Sequence, residues 1–291
     1  MRFLAAASTR GFGVLHRATS PAILNPWKSP LASSSALSMS TVSASDILAS
    51  FPSDRSGSFV GNDVENAMAC LANADAVCFD VDSTVIAEEG IDVLADYLGM
   101  GEKVAELTAQ AMGGSMKFQD ALAMRLKLLQ PSKAQIERCL EERPLVLTPG
   151  ITSLVQALKD AGKDVYLVSG GFRIMIEPIA EHHLGLDKVK NLYANTIKFD
   201  WDGFYDGFDD TEPTSADMGK PKALEQIKEA NGYKTMVMVG DGATDAQAKP
   251  PADAFIGFGG VVERQKVKDI ACWFVYDFAD MEHVVKEFGS S

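Results

Sequence analysis

Two acidic residues two positions apart carry the sharpest chemical signal in the chain: Asp80 and Asp82 in Phe79-Asp80-Val81-Asp82-Ser83-Thr84. On extended chain, residues two apart point to the same side. In that setting Asp80 suits a nucleophile and metal ligand, and Asp82 a carrier of protons. Paired carboxylates repel, so one keeps a proton unless a cation neutralises the pair. A plain helix N-cap would use the same residue types. A second acidic cluster is Val239-Gly240-Asp241-Gly242-Ala243-Thr244-Asp245. Its glycines allow a tight turn, and Asp241 and Asp245 add two more carboxylates. Several such oxygens together suit a hard cation such as Mg²⁺; alone, the segment reads as a capped turn. Ser169-Gly170-Gly171 offers a hydroxyl and backbone N–H groups of the kind that hold phosphate oxygens, although most such triplets are only turns. Lys220, in Met218-Gly219-Lys220-Pro221-Lys222, either offsets phosphate charge or stands in solvent.

These residues need elements to bring them together. Each acidic motif directly follows a short apolar run, Ala76 to Phe79 and Met236 to Val239. Similar runs occur at Val165 to Val168 and Ala254 to Ile256. Such runs read as strands buried on both faces. Between them, Ile151 to Ala161 and Pro221 to Ala230 place apolar residues on one helical face, with Gly162 and Gly232 beyond. Strands alternating with helices give an α/β fold, a doubly wound parallel sheet with right-handed crossovers. The carboxyl ends of such strands open into the crevice where ligands bind.

Two stretches interrupt the rhythm. From about Asp92 to Arg143 the pattern is helical throughout, with Phe118, Leu122, Leu126 and Leu129 on one stripe and a capping-box spacing at Ser132 to Gln135. This is a small inserted helical subdomain. Tyr193 to Phe208 reads as a β-hairpin turning at Asp200-Trp201-Asp202-Gly203. The resulting divisions are residues 1–45, a transit segment; 46–70, a leader with some helical character; 71–91 and 147–291, the α/β core; and 92–146, the helical insertion.

The chain has 291 residues and a net charge of −13. Before Asp46 there is no acidic residue, whereas Arg2, Arg10, Arg17 and Lys28 give +4; 23 basic and 40 acidic residues remain, or −17. A body so acidic argues against a nucleic-acid partner. The first ~45 residues, basic, acid-free and rich in Ser and Ala, have the marks of an organelle transit peptide. Chloroplast is the expected address, with mitochondrion as the alternative. No run is long enough for a membrane span. The four cysteines are widely spaced, without a CxxC pair, which disfavours zinc and a disulfide framework. The adjacent His182 and His183 face different sides of a helix, an arrangement that suits structure rather than metal.

Asp-x-Asp, Ser, Lys and Gly-Asp, in this order after successive strand units, resemble the haloacid dehalogenase-like phosphatases. Within them, Val85 to Asp92, Ala111 to Gly114, Leu147 to Ile151 and Pro251 to Gly260 look like the phosphoserine phosphatase branch, over roughly Leu71 to Phe288. The resemblance implies hydrolysis of O-phospho-L-serine to serine and phosphate, the last step of serine biosynthesis by the phosphorylated route. It implies that Asp80 attacks phosphorus and becomes an aspartyl-phosphate, and that Asp82 serves as acid and then base. By the same resemblance, Mg²⁺ is held by Asp80, the Asp82 carbonyl and Asp241, with Asp245 supporting it. Ser169, Gly170, Gly171 and Lys220 match phosphate-holding positions. Glu89 matches the position facing the substrate ammonium and Arg125 the one facing its carboxylate, with Met112, Gly113 and Phe118 lining the pocket. Thr244 stands where many bacterial relatives carry Asn, which weakens its assignment to substrate. The expected partner is a small molecule, with neither nucleic acid nor membrane, and a homodimer is an assembly left open. Two rivals remain: action on another small phosphomonoester, and a receiver that stores phosphate on Asp without turnover.

Overall fold

The computed structural model describes residues 44–52, 59–110 and 116–289. The expected transit segment lies almost wholly outside them. Two helices, α1 (Ala44–Ser50) and α2 (Val64–Ala72), precede strand β1 (Ala76–Phe79). Four helices follow: α3 (Gly90–Tyr97), α4 (Gly101–Gln110), α5 (Phe118–Leu129) and α6 (Lys133–Glu142). Then come α7 (Ile151–Asp160), β2 (Asp164–Phe172), α8 (Arg173–Pro178) and β3 (Leu192–Asn195). A small antiparallel pair, β4 (Ile197–Phe199) and β5 (Tyr205–Phe208), stands apart from the main sheet. The chain finishes with α9 (Gly219–Asn231), β6 (Met236–Gly240), α10 (Ala243–Ala246), β7 (Ala254–Phe258), α11 (Gln265–Ile270), β8 (Trp273–Val275) and α12 (Phe278–Phe288).

The main sheet has six parallel strands in the order β3-β2-β1-β6-β7-β8. From β1 the chain winds outward through β2 and β3, then returns to β6 on the other side and winds outward again. The winding direction reverses between β1 and β6, and such a reversal opens a crevice at the strands' carboxyl ends. Both acidic motifs begin there.

Period-two alternation sorts the strand side chains onto two faces. Val77, Phe79, Leu167, Val237, Val239 and Ile256 pack with Leu71, Leu154, Leu158, Met281 and Val284 on one side. Cys78, Tyr166, Val168, Met238, Phe255 and Phe274 pack with Leu224, Ile227 and Val267 on the other. Ile47 and Met68, from the segment expected as a leader, are fully buried in the first of these cores. The inserted helices have a core of their own: Leu94, Leu122, Leu126, Ile136 and Cys139 pack with Phe172, Met175 and Ile197. The capping box at α6 is formed: the Ser132 hydroxyl accepts from the Gln135 N–H, and the Gln135 side chain accepts from the Ser132 N–H.

Two local expectations need correction, and one strand went unread. The hairpin begins at Ile197, because Leu192–Asn195 adds to the main sheet instead, pairing with β2 through Leu192 and Tyr193. The second strand does not stop at Val168: it runs on through Ser169, Gly170 and Gly171 to Phe172, opposite Asn195 across a register shift. Trp273–Val275 forms an edge strand that its three residues did not announce. Truncating Met68 to Ala tests whether α2 belongs to the folded body. Urea unfolding should show a loss of about 2–5 kcal/mol, the range for a buried Met cut to Ala; an unchanged midpoint would make α2 an appendage.

Candidate active site

Asp80 is the first residue beyond β1 and caps the wide turn Val81–Val85, its Oδ1 accepting from the Val81 N–H at 2.7 Å. Its own N–H donates to the Val239 carbonyl at 2.9 Å, which ties the end of β1 to that of β6. Asp82 remains extended, and Ser83 then turns through the left-handed region with φ of 55°. That reversal lets the Ser83 hydroxyl donate to Glu89 Oε1 at 3.1 Å. Asp82 Oδ1 accepts from the Gly90 N–H at 2.7 Å, and Oδ2 from the Ser169 hydroxyl at 3.2 Å. Ser169, fully buried, also accepts from the Gly171 N–H at 2.8 Å. A Cβ on Gly171 would come within 2.8 Å of Asp82 Oδ2, so the absent side chain is what permits this approach.

Lys220 starts α9 and is buried between two carboxylates. Its Nζ lies 2.7 Å from Asp80 Oδ1 and 2.5 Å from Asp245 Oδ1. Asp245 is wholly buried, and its Oδ2 accepts from the Gly242 N–H at 2.9 Å. Asp241, 3% exposed, directly follows β6. Oxygens of Asp80, Asp241 and Asp245 lie within 4.8 Å of one another.

This crowding shifts the protonation equilibria. Burial pushes the Asp82 carboxyl up to about 7; the charges of Glu89 and Asp80 add to the rise, while the Gly90 N–H and Lys220 oppose it. Burial also raises Asp245, with Asp80 adding to it and Lys220 pulling the other way. For Lys220, burial alone favours the neutral amine, but the Asp245 and Asp80 carboxylates outweigh it and hold the ammonium. Glu89 is raised by burial and by Asp80.

The donor set suits a divalent cation. Oxygen-only ligands, three of them carboxylates, match a hard ion. Asp241 Oδ2 is buried and makes no hydrogen bond among the described residues. The guanidinium of Arg264 closes on that oxygen as an ion pair. Arg264 also donates to the Asp241 carbonyl at 3.2 Å and stands 3.7 Å from Glu89. Nothing in the sequence reading singled out Arg264. The available signal was topological: it follows β7, whose carboxyl end lies beside that of β6.

A cavity of about 660 Å³ unites these groups. Asp80, Asp82, Glu89, Gly170, Gly171, Lys220, Asp241 and Thr244 line it from the sheet side, and Phe118 and Arg125 from the helical insertion. Ser169 and Asp245 lie beneath the lining. Arg125 is half-buried and donates through Nε to the Ala121 carbonyl at 3.2 Å. Burial lowers its pKa, while the carboxylates of Asp92, Glu89 and Asp82 favour its charge. Met112 and Gly113 lie outside the described residues.

The family description haloacid dehalogenase-like hydrolase matches residues 74–250, the stretch that carries both acidic turns, Ser169 and Lys220. The chain belongs to the haloacid dehalogenase-like hydrolases. It is 52% identical over 217 residues to a phosphoserine phosphatase of Bos taurus, covering 75% of this chain and 96% of that one. It is 50% identical over 211 residues to a chloroplastic phosphoserine phosphatase of Arabidopsis thaliana, covering 72% of this chain and 71% of that one. Among solved structures, a phospho-aspartyl intermediate analogue of phosphoserine phosphatase matches with a TM-score of 0.60 at 28% identity, covering 72% of this chain and 97% of that one. Lys220 is the buried cation that pairs with both Asp80 and Asp245. Lys220→Met strands two buried carboxylates, and without added metal it should cost about 3–5 kcal/mol in urea unfolding. A loss below about 1 kcal/mol, the scale of a solvent-screened surface pair, would mean that Lys220 is not needed there.

Proposed function

We propose that this hydrolase removes phosphate from O-phospho-L-serine, with Mg²⁺ as cofactor and Asp80 as the nucleophile. The observation that carries the reading is the cavity itself. It joins an acidic and cationic floor to two side chains, Glu89 and Arg125, that suit an amino acid's ammonium and carboxylate. Identity of about half to phosphoserine phosphatases over most of the chain supports it.

In this reading Asp80 Oδ attacks phosphorus, and the serine oxygen departs. An alkoxide is a poor leaving group, so Asp82, with its raised pKa, delivers a proton to that oxygen. Asp82 then takes a proton from the water that hydrolyses the aspartyl-phosphate. Splitting hydrolysis into two displacements lets one carboxyl act as acid and then as base. Lys220, Ser169 and the backbone N–H of Gly170 hold charge on the phosphoryl oxygens. Asp80, the Asp82 carbonyl and Asp241 would hold Mg²⁺, with Asp245 buttressing from behind Lys220. Mg²⁺ supplies neutralisation of the charge shared by Asp80 and the phosphoryl group. The helical insertion acts as a cap: a carboxylate on the substrate is met by the planar fork of Arg125, an ammonium by Glu89. Gly171 and Phe118 complete the wall, and Thr244 contributes at most its hydroxyl.

For the address, we propose the plastid. The basic, acid-free composition of the first 45 residues and the chloroplastic relative support it. Fusing that segment to a fluorescent protein should place the signal in plastids; a mitochondrial pattern would overturn the assignment.

Steady-state phosphate release should require added Mg²⁺, stop with a chelator, and vanish in Asp80→Asn. Sustained phosphorylation without turnover would instead indicate a receiver. Arg125→Ala should lower kcat/KM on phosphoserine roughly 10- to 100-fold, the scale of a lost charge-assisted contact. Turnover of phosphoethanolamine, which lacks the carboxylate, should barely change. Equal losses on both substrates would show that Arg125 does not read the carboxylate.

A further inference from the structure

The Ser169-Gly170-Gly171 segment is held from behind by side chains that the proposed chemistry does not use. Asn195 ends β3 and is fully buried. Its Nδ2 donates to the Gly170 carbonyl at 2.7 Å, and its Oδ1 accepts from the Thr214 hydroxyl at 3.0 Å. Thr214, 3% exposed, lies in the single turn Pro213–Ser215 ahead of α9.

The peptide unit is planar, so fixing the Gly170 carbonyl also fixes the Gly171 N–H in the same plane. That N–H donates to Ser169 Oγ, which leaves the hydroxyl hydrogen for Asp82 Oδ2. A continuous path therefore runs from Thr214 through Asn195 and one peptide plane to Ser169 and Asp82. The path is braced on both sides. Arg173 reaches Thr196 Oγ1 and Glu212 Oε1, each at 3.3 Å, and Thr196 donates to Glu212 at 2.9 Å. These contacts clamp the neighbours of Asn195 to the turn that carries Thr214. The same turn packs beneath Gly219, where a Cβ would collide with the Pro213 carbonyl and Thr214, and Gly219 directly precedes Lys220.

A buried amide is costly unless its donor and acceptor are both satisfied, and an apolar residue of that size would avoid the cost. Here both ends of the amide are committed to fixing one peptide plane. We propose that Asn195, seconded by Thr214, is a positioning residue for phosphate: by fixing the Gly170–Gly171 peptide plane it sets the Gly171 N–H on Ser169 Oγ, and so holds Ser169, a phosphate-contacting residue of the proposed mechanism, in register with Asp82. This rests on the phosphatase reading above and adds a specific part to it.

The test compares wild type, Asn195→Ala, Thr214→Val and Thr214→Ser. It reads kcat and KM on phosphoserine with Mg²⁺, binding of inorganic orthophosphate by calorimetry, and thermal melting. Misaimed donors should lower kcat/KM of Asn195→Ala by up to about 100-fold, with a parallel loss of orthophosphate affinity. Thr214→Val should move both in the same direction by less. Thr214→Ser, which keeps the hydroxyl, should restore wild-type values. Should Asn195→Ala not fold, the Thr214 pair carries the comparison. Variants that melt earlier yet keep kcat/KM and orthophosphate affinity would make Asn195 purely structural and overturn the proposal. A wild type that ignores phosphoserine would sink the phosphatase reading instead, and the orthophosphate affinities would still decide the part played by Asn195.

Discussion

Three buried carboxylates within one small cluster are electrostatically untenable by themselves, and the rest of the site follows from how they are compensated. Each buried ion loses several kcal/mol of hydration, and like charges at this spacing add repulsion. Lys220 answers part of this by lying between Asp80 and Asp245. Arg264 answers another part at Asp241. Asp241 Oδ2 makes no hydrogen bond among the described residues and meets the Arg264 guanidinium, so a divalent cation bound by Asp241 would share or replace that pairing. A divalent cation held there would add to the positive charge of Lys220 and Arg264 that a dianionic phosphate would meet. The net charge of −13 is therefore no bar to a phosphorylated substrate.

The fold makes this crowding achievable. Parallel strands deliver their carboxyl ends to one edge, and the reversal between β1 and β6 leaves a gap there. Asp80 and Asp241 reach it from those two strands, Ser169 from the extended end of β2, and Lys220 from the first turn of α9. The helical insertion then supplies Phe118 and Arg125 from the opposite wall. Charge chemistry is built on the sheet, and selectivity is proposed to reside in helices that can vary independently of it.

Much of this was legible in the chain. Apolar runs buried on both faces marked β1 and β6, and the residues just after them had to lie at strand ends. Ser132 and Gln135 marked a helix start because that capping geometry depends on local spacing alone. Other features were hidden for physical reasons. Leu192–Asn195 and Trp273–Val275 are edge strands of four and three residues, defined by pairing rather than by pattern. Glycines at 170 and 171 suggest a turn, yet their pairing neighbours keep them extended. Ile47 and Met68 join the core only because α1 and α2 fold back onto the sheet. Arg264 and Asn195 act through contacts with residues 23 and 25 positions away, and no local signal reports such contacts.

The claim on which the rest turns is that Asp80 itself takes the phosphoryl group. Rapid mixing with phosphoserine and Mg²⁺, followed by acid quench and peptide mapping, reads this directly. The result expected is a transient, acid-stable phosphoryl adduct on the peptide carrying Asp80, placed on that residue by fragmentation and absent from Asp80→Asn. Phosphate release at full rate with no adduct at any quench time, or an adduct on Asp241 or Asp245 instead, would contradict it.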